Sequence, residues 1–519
     1  MTLKSSFAVL FLIFIFFQCI DQPKDCLGVE GGLATKDNCG NCDDDPSNDC
    51  LQDCSGIWGG LATQDNCGNC DDDPSNDCTQ DCMGVWGGSG NDTLNFCGHC
   101  EDNFNCDFLG YMNKLSFFPG EIADLYISSR DTILNADLGI FDINGNTVGN
   151  FSTSIYPQTI ENQEPWKNGF GFNKTIDFDI PYIKSGIYFI AENFGNNIYK
   201  NKIPFIIKAT EPVDAIIIYP SNTGNAYNSY GGRSLYTNPR ALEVSAMRPQ
   251  YLRHFSIPFL RWMETESYNI GYVTDYDIEN EDNLGYTNLV IIPGHSEYWS
   301  RNARQNFDNF IDQGNDAIIL SGNNMWWQVR YSADGKSMIC YKSDDDPIEN
   351  PFLQTIHWYK PSLDYSILQS IGADYYHGGS GKNNNYGWDG FKIVKPNSPL
   401  FQGCDLVLGQ IIHMPHVELD SAPISHFSSE GVPVIDTSKL DFFKTELLAY
   451  DLVSGYESGQ EKPGTFIVIQ KSETSGVIIN TSSTNWCKEG FTGVDNSLVE
   501  TITRNMVELL LNNTSVFSD

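Results

Sequence analysis

The feature that most limits what this chain can fold into is a set of twelve cysteines on a 28-residue period near its amino end. Cys26-Leu-Gly-Val-Glu-Gly-Gly through Asp49-Cys50 recurs as Cys54-Ser-Gly-Ile-Trp-Gly-Gly through Asp77-Cys78, then in looser form from Cys82 to Cys106. Each copy carries four: Cys26, Cys39, Cys42 and Cys50; Cys54, Cys67, Cys70 and Cys78; Cys82, Cys97, Cys100 and Cys106. An even number per copy predicts a disulfide framework, given an oxidising compartment. The Cys39-x-x-Cys42 spacing would also suit zinc, and the compartment is what argues against it.

That compartment is read from residues 1–20, where Lys4 and an apolar run from Phe7 to Phe17 give way to polar residues by Asp21, the pattern of a secretory signal. The run is short for a bilayer span. No small-residue cleavage site stands near Gln18 to Ile20, so an uncleaved signal anchor is the alternative. No second long apolar segment follows, which predicts a soluble secreted protein or one held in the secretory lumen. Sequons at Asn91, Asn150, Asn173, Asn512 and Asn513 fit a glycoprotein, while Asn480 lies in a strand-like run and is expected to stay unmodified.

A net charge of −36 excludes nucleic acid as a partner, because phosphate binding needs clustered Lys and Arg. The acidity is concentrated in Cys26 to Asp107, where Lys36 is the one basic residue. Asp43, Asp44, Asp45, Asn48 and Asp49, repeated as Asp71, Asp72, Asp73, Asn76 and Asp77, offer oxygen ligands without EF-hand spacing. Weak Ca²⁺ binding and a solvated acidic loop both remain open. The units resemble the Asp-Cys-x-Gly-x-Trp-Gly-Gly repeats of assorted secreted proteins, which implies a stalk.

From Leu115 to Lys208 short runs rich in Ile, Phe and Tyr, broken by turns such as Asn144-Gly145, predict a β-sandwich. Past Glu211 strand and helix alternate: strands at Ala215–Tyr219, Asn269–Val273, Leu289–Ile292 and Ala317–Leu320, helices at Phe259–Glu266 and Arg301–Gln313. That order predicts a parallel sheet with helices on both faces. Thr465–Gln470, Gly476–Asn480 and a helix over Leu498–Leu511 complete it, and Lys342 to Pro396 is expected as an insertion over the site.

Polar and aromatic residues crowd the ends of three of these strands. After the first comes Ala226-Tyr227-Asn228, then Tyr230-Gly-Gly-Arg-Ser-Leu-Tyr236. After the third comes His295-Ser-Glu297-Tyr298-Trp299, and after the fourth Asn323-Asn324-Met-Trp326-Trp327-Gln328-Val-Arg330. In a parallel sheet these ends meet at one edge, where open α/β sheets build their sites. A Glu buried there calls for a cation or charged partner. Each Tyr taken singly reads as a packed aromatic.

Together with Pro258-Phe-Leu-Arg261-Trp262 and Val273-Thr-Asp275, these segments resemble the large subunit of N,N-dimethylformamidase and its relatives. The resemblance is strong from Glu211 to Cys340, looser to Trp486-Cys487, weak over the sandwich and absent from the cysteine units. It implies a mononuclear ferric ion, Fe(III), held by two tyrosines and a glutamate, and hydrolysis of a small amide. Carried over by motif, Glu297 and Tyr227 are metal ligands, and Ser185-Gly-Ile-Tyr188 supplies the second phenolate, Tyr188. His295 and Asn323 become polar partners of substrate or water, and Glu418 the general acid or base, with His416 or Asp420 as alternatives. The family's small subunit is absent from this chain, which leaves an oligomer or a small-subunit partner open.

Phenolate and carboxylate are hard donors suited to a hard, highly charged cation. The expected organisation is therefore a signal over 1–20, three cysteine units over 21–108, an Ig-like β-sandwich over 113–210, and an α/β domain over 211–515 with a mainly parallel, amidotransferase-like sheet. Two rival readings stand beside an iron-dependent amidohydrolase: a secreted binding or adhesion protein that keeps the fold, and a carbohydrate-active protein, for which no pair of carboxylates stands out.

Overall fold

The computed structural model describes residues 22–88, 93–100, 106–195, 201–250, 252, 254–381 and 386–518, so the signal expected over 1–20 and the sequon at Asn91 lie outside the described residues. The chain is a multi-sheet, mostly β protein with a disulfide-rich amino-terminal region, and it divides into two compact units, Met1–Ser89 and Gly90–Asp519.

In the first unit each repeat joins its first cysteine to its third and its second to its fourth: Cys26 to Cys42, Cys39 to Cys50, Cys54 to Cys70 and Cys67 to Cys78. Cys97 joins Cys106 in the second unit. Cys82 and Cys100 are disulfide-bonded too, so every repeat cysteine is oxidised and none is left for zinc. The acidic residues are part of the loop architecture. Asp37 accepts backbone N–H groups from Cys39 at 3.0 Å and Asn41 at 2.7 Å, and Asp65 repeats this with Cys67 and Asn69 at 2.9 and 2.8 Å. Asp53 lies so close to Gly60 that a Cβ there would fall 1.8 Å from its carboxylate, which accounts for the second glycine of the Gly-Gly pair.

The second unit opens with two packed sheets. We number its elements from β1 (Phe108–Met112), β2 (Ser116–Phe117), β3 (Ile122–Ser129), β4 (Ile133–Asp142), β5 (Thr147–Ile155), β6 (Ile176–Asp179), β7 (Gly186–Ala191) and β8 (Ile203–Ile207). One sheet has the order β6-β3-β1 and the other β2-β8-β7-β4-β5, the two-layer arrangement expected, with its first strand lying ahead of residue 113. β7 is buried along its whole length, and successive residues pack on opposite sides. Tyr188 and Ile190 enter the sandwich interior, while Ile187 and Phe189 join a cluster with Ile217, Tyr219 and Leu260. Sandwich and following strands thus share a core.

Beyond it lie β9 (Ala215–Tyr219), α1 (Ser221–Tyr227), α2 (Ile257–Met263), β10 (Ile270–Thr274), β11 (Leu289–His295), β12 (Tyr298–Ser300), α3 (Arg301–Asp312), β13 (Asp316–Gly322) and β14 (Trp327–Tyr331). After them come β15 (Asp374–Ser380), β16 (Glu418–Ser421), β17 (Lys444–Gly455), β18 (Glu461–Gln470), β19 (Val477–Asn480) and α4 (Asn496–Leu511). The main sheet runs β10-β9-β11-β13-β19-β18-β17-β15-β16, and two short strands pair off this path. β10, β9, β11, β13 and β19 are mutually parallel. From β19 onward every pairing is antiparallel. This corrects the expectation of a mainly parallel sheet: the crossovers supply only one half, and the long β17–β18 hairpin extends it in the other sense.

The parallel strands are continuous apolar runs because both faces are covered. In β9, Ile216 and Ile218 pack on one side, and Ala215, Ile217 and Tyr219 on the other. α3 begins where Ser300 accepts the Ala303 N–H at 3.1 Å, and it buries Ala303, Phe307, Phe310 and Ile311 at helical spacing. It stops before Gly314, whose φ of 94° is costly for any other residue. Asn480 is fully buried, as expected of an unmodified sequon.

Candidate active site

β9, β11 and β13 are neighbours, and their carboxyl ends place Tyr227, Glu297 and Asn323 at one edge. The chain leaves β11 through Gly294 at φ 77°, where a Cβ would press within 3.2 Å of Phe255 and Ser256, so the sharp exit toward Glu297 requires glycine. The Glu297 N–H donates to Thr223 Oγ1 at 2.9 Å and Ser296 N–H to Ser321 Oγ at 3.0 Å, which locks this turn to α1 and β13. α1 is fixed in turn by buried Arg248, whose guanidinium donates to the Arg233 carbonyl at 3.1 Å and to Asn225 Oδ1 at 3.0 Å. It staples the end of α1 to the loop that follows. The Tyr236 ring then stacks on Tyr227, centroids 3.9 Å apart.

Buried Glu297 is the centre of the cluster. Tyr236 Oη donates to its carboxylate at 2.7 and 2.9 Å, Tyr227 Oη at 3.2 Å, and Trp327 Nε1 at 3.1 Å. His295 Nε2 lies 3.3 Å from Glu297 and 3.5 Å from Glu418. Its Nδ1 is 3.2 Å from the Gly322 carbonyl, so that nitrogen must carry a proton to donate, and the other faces two carboxylates. Burial works against a charged imidazole, yet Glu418 and Glu297 outweigh it and raise its pKa. Burial likewise opposes ionisation of Glu297, while His295, Lys342 and Tyr236 hold its pKa below the ordinary value. The Tyr236 phenol is pushed far up by burial and by Glu297, so it stays protonated unless a cation is present.

Asn323 Nδ2 donates to Glu418 Oε1 at 3.3 Å. Asn323 has φ 50°, and Asp420 holds it there by accepting the Asn323 N–H at 2.8 Å and the Asn324 N–H at 3.1 Å. Asp420 is fully buried and its pKa is pushed up to about 8. It acts as a support beneath Asn323, and Glu418 is the carboxylate that faces His295. His416 points elsewhere: its Nδ1 pairs with Ser483 Oγ at 2.7 Å, and burial drives its pKa down to about 3. Ser483, His416 and Asp451 form a serine–histidine–aspartate row, but all three are buried, so Ser483 has no access to a substrate.

Five of the six expected site residues therefore meet: Tyr227, Glu297, His295, Asn323 and Glu418. Tyr188 does not join them. Its ring packs in the sandwich and its hydroxyl donates to the Lys184 carbonyl at 2.8 Å, because the parity of β7 turns residue 188 inward. The second phenol beside Glu297 belongs to Tyr236. The sequence displayed it nine residues after Tyr227 without marking it, since its position depends on the Arg248 staple. Lys342 was also missed; its Nζ stands 3.6 Å over the Tyr236 ring. With His357, which stacks on Trp327 at 3.6 Å, it brings the segment expected as an insertion onto the site.

Among the described residues no group of three His, Cys, Asp or Glu side chains is arranged to hold a metal ion. The oxygens that do converge are two phenols and one carboxylate, a donor set that fits a hard trivalent cation. Buried Cys340 has its thiol pushed up to about 12 by burial, and Cys487 is raised likewise, so neither is a nucleophile.

The family model described as N,N-dimethylformamidase beta subunit-like, C-terminal, matches residues 146–490. No curated protein matches the chain. A crystal structure of a thua-like protein from Bacteroides uniformis ATCC 8492 aligns over 58% of this chain and 93% of its own, at 10% identity and a TM-score of 0.27, a likeness that carries no argument.

Proposed function

Because the chain belongs to the N,N-dimethylformamidase beta subunit-like, C-terminal family, we propose that it is an extracellular hydrolase of an amide C–N bond that works with one ferric ion. The observation that carries this reading is the convergence of Tyr227, Tyr236 and Glu297 oxygens beside the His295–Glu418 pair. Tyr227, Tyr236 and Glu297 would hold the ion. When bound, it supplies Lewis acidity toward an amide carbonyl and toward water. Glu418, steadied by Asn323, takes the proton of the attacking water and returns it to the departing nitrogen as the C–N bond breaks. His295, whose pKa Glu418 and Glu297 raise against the effect of burial, sits between the two carboxylates and favours the ionised form of Glu297. The parallel strands β10, β9, β11, β13 and β19 serve as an amidotransferase-like frame for these groups. The disulfide-bonded amino-terminal unit fits an oxidising, extracellular setting, and no described helix is long and apolar enough to cross a membrane.

Metal analysis and visible absorption of the purified protein test the assignment. We expect one iron per chain and a tyrosinate-to-iron colour, with Glu297→Gln weakening iron binding by at least about tenfold. Colourless wild-type protein without stoichiometric iron after refolding with the metal would favour the non-catalytic binding protein.

A further inference from the structure

One end of the site continues into a column of aromatic rings. Trp327, whose indole N–H bonds to Glu297, carries His357 at 3.6 Å and 28° between planes. His357 is followed by Tyr359 at 5.2 Å and 29°, and Tyr359 by Tyr376 at 4.6 Å and 23°. Trp326 lies against Tyr359 at 5.1 Å and 27°, and Tyr456 meets Trp326 edge-on at 4.9 Å. The rings come from four separate segments, Trp326-Trp327 at the start of β14, the loop before β15, β15 itself and the turn after β17, so no local periodicity explains the stacking.

A satellite core beneath a loop would bury its members. Here Trp326 is buried, but Trp327, His357, Tyr359 and Tyr376 are only half-buried and Tyr456 is 39% exposed. The hydrolysis of a small aliphatic amide makes no use of such a wall. We propose that this column is the substrate's recognition subsite, and that the substrate is an amide bearing a planar aromatic group laid against the rings. The inference rests on the amide-hydrolase reading for the site, and it adds the class of substrate.

Ring geometry decides between ligand types. A cage for an ammonium group needs aromatic faces turned toward one another around a void. From Trp327 to Tyr376 neighbouring planes lie within 29° of parallel, and Tyr456 meets Trp326, His357 and Tyr359 edge-on at 81°, 67° and 69°, so the rings pack against one another as a wall for a flat group rather than as a box around a cation. The rim carries both signs of charge: Lys360 stands 5.3 Å from Tyr359, Lys462 5.6 Å from Tyr376, and Glu457 bonds to Tyr376. The lysines outnumber the carboxylate there, which disfavours a cationic ligand and leaves a neutral flat group to the rings.

Calorimetric titration of the full-length protein with three probes, benzamide, acetamide and tetramethylammonium, tests this without requiring turnover. Benzamide is expected to bind at least about tenfold more tightly than either of the others. Tyr456→Ala and Tyr376→Ala, at exposed and half-buried positions outside the Glu297 cluster, should each weaken benzamide about five- to tenfold and leave melting temperature and iron content unchanged. Equal affinity for benzamide and acetamide, undetectable benzamide binding, tighter binding of tetramethylammonium, or benzamide affinity unmoved by both substitutions would overturn the proposal. Benzamide bound through these tyrosines but never hydrolysed would leave the subsite standing and refute the hydrolase reading instead.

Discussion

Tyr188 and Tyr236 show how a single parity decides a site. In β7 the side chain at 188 must face opposite to those at 187 and 189, and Ile187 and Phe189 are the ones that reach the strand-and-helix core. The motif around Tyr188 was legible, but its direction depends on which face of β7 is turned toward β9, and that is a tertiary fact. Tyr236 sits in a loop that only the buried Arg248 network closes. The difference is open to a direct comparison by titration with ferric iron. Tyr236→Phe should lower iron affinity by about an order of magnitude and shift the visible band, whereas Tyr188→Phe should leave both unchanged and cost only about 1 kcal/mol from its lost hydrogen bond to Lys184. The reverse pattern would return the ligand to the sandwich.

At the scale of elements, the parallel strands were readable because each is a short apolar run ending in polar residues, whereas β17 was missed and β18 was read only over Thr465–Gln470, as part of a parallel sheet. Both are long, and much of each is buried on both faces, so the alternation that marks an antiparallel hairpin is blurred. Their half of the sheet brings Glu418 to the site, and the meeting point is Gly322 at the end of β13. A Cβ there would lie 2.7 Å from the Ser482 carbonyl and the Thr484 nitrogen and 2.9 Å from the Glu418 carbonyl, all backbone atoms unable to yield locally. Gly322→Ala should therefore destabilise the protein by about 2 kcal/mol or more and lower turnover by displacing Glu418, measured by denaturant melts and activity together. A second joint ties β14 to the segment after Lys342: Arg330 donates to both oxygens of buried Asp346 at 2.7 and 3.0 Å. Burial opposes ionisation of Asp346, but Arg330 and Thr355 prevail and bring its pKa down to about 2. A depressed carboxyl pKa contributes stability that is complete above about pH 4 and lost as pH falls toward about 2. The contribution is about 2 kcal/mol, so Asp346→Asn should lower stability at pH 7 by at least that much and flatten the acid limb of the stability curve, read by urea melts from pH 2 to 7.

For the whole molecule, composition placed the end of the cysteine-rich region near residue 108, while compactness divides the chain at Ser89. The reason is that the last cysteine copy is split by role. Cys97 and Cys106 pack with Tyr111, Phe170 and Phe172 in a buried cluster of the second unit, and the Gly98 carbonyl accepts the Gly231 N–H at 2.7 Å in the loop between Tyr227 and Tyr236. Disulfide spacing could not show this, because a degenerate repeat and a structural clasp carry the same four cysteines. A truncation ending at Asp81, which keeps the disulfide-bonded Cys82, should thus leave a cooperative melt and iron binding close to those of the full chain, since it removes none of the site residues and no described residue of that cluster. Extending the deletion through Asp107 removes the Cys97–Cys106 bridge and part of the apolar cluster, for a loss of about 2–5 kcal/mol. It also frees the loop that carries Tyr236, so iron affinity should fall with the melting temperature. Calorimetry and metal titration on the two truncations decide the matter: equal behaviour of both would show that the last copy is stalk throughout, and failure of the shorter deletion to melt cooperatively would show that the second unit needs the first.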